Sequence, residues 1–422
     1  MEAFIPSIIS DVKAIARELY KLRNYNVKWN IQARLDEFLN VRGEYDVEVD
    51  FLGDRVIEEL EPHNPPPILA VDGSNRNIDT PYAFTTIASG SIVSERLGVI
   101  LDYPAAWFNY PLEVKGVLTP YIGVAPDTDN VVLDLPPSAT QYNPVGKLYD
   151  SNYNRHQVVD EIRARVENTL LNLVPKVDER LLIGLKHRVV VVDGPLYHIP
   201  RVLFEQTVEE YYIKAWRRIL KDRVEAVLRL DSKRIVTIGV VKRIERSKIL
   251  SKSREFNDKV KGTLKINISG GNDLVVVDRL ISEALSEGII RTPLKPLLIG
   301  PFKVRTSIRD VLRIKDMPLK VIGYIFVPYH PYSLVNHRIL RVEVSENMYR
   351  MLGNIVFSWV AYDAVNHSTT IPYSLHLAHS RCNKWCTMLF TYYTSYYSRM
   401  GIPLTYDTRL QFLQVMSEYE FK

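Results

Sequence analysis

Ile68-Leu69-Ala70-Val71-Asp72-Gly73-Ser74 and Arg188-Val189-Val190-Val191-Val192-Asp193-Gly194 share one pattern, in which an apolar run delivers an acid and a glycine follows it. Four consecutive apolar residues bounded in this way read as a buried strand. The glycine permits a sharp exit and the close approach of a ligand. Each acid is then a carboxylate held rigidly where a strand leaves its sheet, at the rim of a cleft. Asp-Gly is also ordinary turn chemistry, so one occurrence carries little weight. The pair carries more.

Outward from these two runs the chain alternates helical and strand patterns. Residues 7–40 carry apolar positions at helical spacing, among them Ile8, Val12, Ile15, Leu19 and Leu22, until Pro62, Pro65, Pro66 and Pro67 stop the pattern. TPYAFTTIASGSIV (80–93) and ERLGVILDY (95–103) read as strands. Residues 103–155 are rich in Pro, Tyr, Asn and Asp and read as a long excursion with one short strand at 131–134. A helix over 157–178 presents Val159, Ile162, Val166, Leu170, Leu173 and Val177 as one stripe. Helix over 204–230, strand over 234–241 and helix over 278–287 follow. Strands over 297–305, 319–327 and 338–344 come next, then a helix over 374–398. The alternation gives an α/β sheet protein. It divides into an N-terminal helical segment, 1–61, and a main domain, 62–422, that carries the 103–155 insertion.

With 46% hydrophobic and 24% charged residues, the 422-residue chain has the balance of a folded protein. No apolar run is long enough to cross a bilayer, and the N-terminal stretch does not read as a secretory signal. The two cysteines, Cys382 and Cys386, fit a reducing, cytoplasmic setting. A formal charge of +5 permits a polyanionic partner without requiring one. His379, Cys382 and Cys386 share a helical face, but one straight helix spreads them over about 10 Å, too far for a single zinc ion. The cysteines therefore read as small buried residues. Asp278, after Leu274-Val275-Val276-Val277, reads as a helix N-terminal acid.

A divalent ion needs more oxygen ligands than two strand-end acids supply. The 157–178 helix offers Glu167, at the flank of the apolar stripe beside Arg163 and able to face the sheet, whereas Glu161 falls on the opposite face, toward water. A solvated Glu167 paired with Arg163 four residues earlier is the competing account.

LAVDGSN (69–75), RARVENTLL (163–171) and VVVVDGPL (189–196), in this order, resemble the acidic motifs of the NurA nuclease family. GVVKRIERS (239–247) resembles the family's strand ending in lysine, and IPYSLHLAHSRC (371–382) its C-terminal helix with a histidine. The resemblance runs in patches over about residues 65–400. It implies a ribonuclease H-like mixed sheet flanked by helices. It also implies metal-dependent cleavage of DNA, of single-strand endonuclease and 5′–3′ exonuclease type, in recombinational repair. Asp72, Glu167, Asp193 and His379 would surround two ions of Mn2+ or Mg2+, histidine favouring manganese. Lys242 would neutralise phosphate charge, and Arg243, Arg246 and Lys248 would track the backbone. The resemblance further implies a homodimer, a HerA-type hexameric ATPase as partner, and an archaeal cell. No G-x-x-x-x-G-K-[ST] phosphate loop occurs here, so a motor must be another protein. An inactive NurA-like DNA- or HerA-binding subunit, and another ribonuclease H-like nuclease, are the alternatives. The long excursion and a longer gap between Glu167 and Asp193 depart from the family pattern.

Overall fold

A computed structural model describes the chain apart from residues 1–5, 26–46, 106–109, 113, 115, 181–188, 201–202, 204–207, 246, 269–270, 291–294, 307–308, 310–311, 331–332, 366–370 and 421–422. Its first half runs through α1 (Pro6–Lys21), β1 (Val47–Phe51), β2 (Ile57–Glu59), β3 (Ile68–Asp79), β4 (Ala83–Ser94), β5 (Gly98–Tyr103), β6 (Ile122–Pro126), β7 (Ala139–Thr140), α2 (Arg155–Arg180) and β8 (Val189–Asp193). The second half continues through α3 (Glu210–Ser232), β9 (Val236–Val241), α4 (Arg254–Leu264), α5 (Asp273–Ser286), β10 (Leu297–Thr306), β11 (Lys320–His330) and β12 (Ser333–Ser345). Helices α6 (Glu346–Leu352), α7 (Ile355–Val365), α8 (Tyr373–Arg399) and α9 (Tyr406–Glu420) close it.

The two apolar runs become adjacent parallel strands, paired from Ile68 with Val189 to Val71 with Val192. Val189 to Val192 are each at most 2% exposed, as all-apolar runs must be when both faces of a sheet are covered. Burying each such side chain is worth about 1.5–3 kcal/mol. β9 lies parallel to β8, whereas β4 runs antiparallel to β3 and β6 antiparallel to β4. The resulting order β6-β4-β3-β8-β9 is ribonuclease H-like, as expected. On the β9 side, β12, β11, β10 and β1 extend it antiparallel into a 12-stranded sheet.

Helix α2 lies in a trough of glycines. A Cβ on Gly73 would come 2.8 Å from Glu167 Cγ, one on Gly90 2.5 Å from Leu170 Cδ1, and one on Gly123 2.8 Å from Val158 Cγ1. Gly73 and Gly90 face each other across β3 and β4, so the trough crosses the sheet. Only residues without a side chain let the helix approach so closely.

Several expectations are corrected. β3 does not end at Asp72 but runs on to Asp79, paired with β4 over its whole length from Leu69; Gly73 clears Glu167 instead of turning the chain. Residues 131–134 form no strand, because the Gln141 side chain accepts from Leu133 N at 2.9 Å and donates to Val131 O at 2.5 Å, replacing a ladder. Leu274 to Asp278 lie inside α5, which starts at Asp273 with Asn272 as its cap, so Asp278 sits past the first turn on the exposed side. β1 and β2, within the stretch assigned to an N-terminal helical segment, pair with β10. Among the described residues, no helix is long and apolar enough to cross a membrane.

Glu161 is the largest departure. It is fully buried, since the excursion folds back over α2 and places Tyr149 OH 2.8 Å from Oε2 and Tyr153 OH 2.7 Å from Oε1, both donating. Burial pushes the carboxyl up to about 7, against the two tyrosine hydrogen bonds. Between the unfolded value near 4.5 and 7 the folded chain holds a proton that the unfolded chain releases. Stability therefore falls as pH rises through that window, by on the order of 3 kcal/mol. Glu161→Gln is expected to flatten this part of the pH profile and to be more stable than the parent at pH 8, read from urea midpoints. Parallel profiles for the two proteins would refute the assignment.

Candidate functional site

Because Val71 and Val192 are in register, the next residues, Asp72 and Asp193, stand side by side where β8 ends against the middle of β3. Gly194, at φ +92°, then turns the chain away, its N–H donating to Val240 O at 2.9 Å. β9 delivers Lys242, whose Nζ lies 2.7 Å from Asp193 Oδ2. From the facing helix, Ala378 packs on Ala70 and Val93, three residues that hold α8 close to the sheet. The next side chain, His379, reaches Asp72 Oδ2 at 2.7 Å and Asp193 Oδ2 at 3.7 Å through Nδ1. Helix α8 is fixed there by Ser89 Oγ donating to Cys382 O, by Trp385 Nε1 donating to Pro104 O, and by Arg381 gripping buried Asp102 through its guanidinium.

Glu167 stands one side chain away, over Gly73, and is tied to the cluster by Arg163. That guanidinium lies 2.9 Å from Glu167 Oε1 and 3.8 Å from Asp72 Oδ1. Buried Arg223 of α3 lies 3.9 Å from Glu167 Oε2 and donates to Leu196 O at 3.1 Å. Four predicted residues, Asp72, Asp193, His379 and Lys242, are thus in direct contact, and Glu167 joins through Arg163. Arg243 and Lys248 lie exposed beyond Lys242; Arg246 falls outside the described residues. Arg163 was read only as the partner of Glu167, and Arg223 was missed. Their second contacts cross to other elements, which local spacing does not reveal.

Asp72 is fully buried as a side chain and accepts from Gly73 N at 2.7 Å. Burial raises its carboxyl above the usual range, opposed by the His379 hydrogen bond and reinforced by the Asp193 charge. The same hydrogen bond raises the His379 imidazole. Glu167, foremost, holds Arg163 in its charged form. Both cysteines are buried and free, as expected, yet Cys382 Sγ, His379 and Asp72 bring donor atoms within 4.8 Å of one another. Its thiol donates to His379 O at 3.4 Å.

The donor set fits a hard or borderline divalent ion: carboxylates from β3 and β8, an imidazole from α8, and a third carboxylate at the flank. Asp72 supplies the strongest observation, a desolvated carboxylate whose nearest permanent cation is 3.8 Å away.

Gly73→Ala tests the placement of Glu167. The new Cβ would lie 2.8 Å from Glu167 Cγ and 2.9 Å from Oε1, so the whole side chain must swing aside and its carboxylate shifts. The cleavage that the resemblance implies, measured per folded molecule, should fall about 10–100-fold. Parent-like cleavage would remove Glu167 from the site.

The NurA domain model matches residues 66–383. No curated protein matches the sequence. Among solved structures, the NurA nuclease from Sulfolobus solfataricus is 10% identical, covering 90% of this chain and 92% of that one at a TM-score of 0.42. A structure of NurA with manganese is 11% identical over 90% and 95% of the two chains, with a TM-score of 0.37. Human ENDOV is 12% identical over 75% and 84%, with a TM-score of 0.26. Likeness at these scores bears on neither chemistry nor partners.

Proposed function

The chain belongs to the NurA family, and from that premise we propose that it is a metal-dependent deoxyribonuclease working where Asp72, Asp193 and His379 meet. One observation carries this reading: two acids 121 residues apart in sequence are brought side by side and spanned by one imidazole, at 2.7 and 3.7 Å. Asp72, Asp193 and His379, with Glu167 beside them, would hold Mn2+ or Mg2+, as two ions. When bound, such ions supply Lewis-acid activation of the scissile phosphate and of the attacking water.

The chain's own residues do the rest. The Asp72 contact fixes the orientation of the His379 ring. Lys242 places an ammonium at the rim, where it offsets phosphate charge as it develops in the transition state. Arg163 and Arg223 hold Glu167 from two sides, and Arg243 and Lys248 extend the basic rim along a backbone. No side chain is required as a nucleophile.

In this reading the substrate is DNA with free ends, cut as single strands and from 5′ ends during recombinational repair. The chain acts as a homodimer in the cytoplasm with a HerA-type hexameric ATPase, which supplies the movement that a chain lacking a phosphate loop cannot. The donor set, two strand carboxylates spanned by one imidazole, supports the choice of a divalent metal. The test is cleavage of end-labelled single- and double-stranded DNA, with RNA in parallel, in manganese, magnesium or EDTA. Metal-dependent cutting of DNA, abolished by EDTA, is expected. No cutting in either metal would turn the reading to a DNA- or motor-binding subunit.

A further inference from the structure

The 103–155 excursion closes over one flank of α2 and α3 and leaves a cavity of about 490 Å3 between them. Small-ligand sites span roughly 300–1,000 Å3. Three guanidinium groups line it, Arg165 from α2 and Arg218 and Arg229 from α3, while residues 118–119 and 140–144 of the excursion supply the outer wall. At about 100° per residue, Arg165 lies roughly 160° around α2 from Glu167. The cavity and the carboxylate cleft therefore occupy opposite flanks of the same helix.

Two of the arginines are already aimed. Arg218 Nη1 donates to Pro144 O at 2.9 Å, and Arg229 Nη1 donates to Asn172 Oδ1 at 2.9 Å. Arg165 lies deeper, its guanidinium beside the buried Tyr149 and Glu161. Asp222 and Glu225 line the same wall of α3, so the cavity is not uniformly cationic. It suits a molecule with an anionic group at one end and hydroxyl or amine donors at the other.

We propose that this cavity binds a nucleoside phosphate, as a free mononucleotide or as the terminal nucleotide of a DNA strand, with the phosphate on the arginines and sugar or base donors on Asp222 and Glu225. Arginine is the side chain whose planar fork matches phosphate oxygens in pairs. The excursion thereby gains a role: it walls a second site apart from the cleft.

The test is calorimetric titration of the full-length chain in EDTA with thymidine 5′-monophosphate, thymidine, and a 5′-phosphorylated oligothymidylate. Saturable binding of a phosphate-bearing probe is expected, with thymidine at least about tenfold weaker. Arg218→Glu and Arg229→Glu, both at exposed positions, should each weaken it about tenfold or more, while Asp72→Asn binds like the parent. Tighter binding of the oligonucleotide assigns the site to strand ends and tighter binding of the mononucleotide to free nucleotide; either supports it. The proposal is overturned if neither phosphate probe saturates, if both charge reversals bind like the parent, or if only Asp72→Asn loses binding. EDTA prevents metal-dependent cleavage, so this outcome is independent of whether the cleft cuts DNA.

Discussion

Asp72→Asn is expected to lose metal-dependent cleavage by about 10²–10³-fold or more, while keeping its fold and its affinity for DNA. The side chain is fully buried, and burial already works against its charge. An amide of the same shape removes that electrostatic cost and can still accept from Gly73 N and contact His379. In EDTA the variant should therefore unfold at or above the temperature of the parent. Added manganese should raise the parent's unfolding temperature, because an ion bound only by the folded chain stabilises it; the variant should respond much less. Three readouts thus move in different directions, and a folding defect cannot imitate them. Undiminished cleavage by the variant would remove Asp72 from the chemistry.

How much of this was legible in the sequence differs residue by residue. Asp72 and Asp193 were visible because each ends a run of four apolar residues, a purely local signal. That β3 continues past Asp72 was not visible, because a glycine after an acid reads as a turn until Glu167 is seen lying against it from a helix 94 residues on. Glu161 was misread for the same reason in reverse. Helical spacing correctly put it opposite the sheet, but solvent was assumed there, and the excursion's Tyr149 and Tyr153 occupy the place. His379 stood out only through family resemblance, since a lone histidine on a mixed helix face has no signal of its own. Arg223 and Glu343 had none either, because what they do depends on a peptide at Leu196 that is distant in sequence from both.

That peptide motivates the other large effect. Glu343→Ala is expected to destabilise the fold by about 3–5 kcal/mol. Glu343 is fully buried on β12; its Oε2 accepts from Lys320 Nζ at 3.0 Å and from Leu196 N at 3.0 Å. Arg341 Nε lies 2.9 Å from Oε1, in ionic contact. Lys320 is lowered by burial, and Glu343 is what holds its proton against that pull. Without the acid, two buried cations face each other, so Lys320 gives up its proton on folding and the unfolded chain binds more protons than the folded one. Stability of the variant must then rise with pH toward the unfolded lysine value near 10.5, and its deficit relative to the parent should shrink along the way. Glu343→Met combined with Lys320→Met should recover part of the loss at neutral pH, since it leaves one buried cation, Arg341, where the single variant leaves two. Denaturant unfolding across pH measures all of this, and a single variant within about 0.5 kcal/mol of the parent would defeat the argument. The same substitution strips Leu196 N of its acceptor three residues after Asp193, and leaves to that segment the Arg223 bond at the Leu196 carbonyl and the Gly194 bond to Val240. Cleavage should consequently fall even where the variant remains folded, which links the antiparallel half of the sheet to the carboxylates it does not touch.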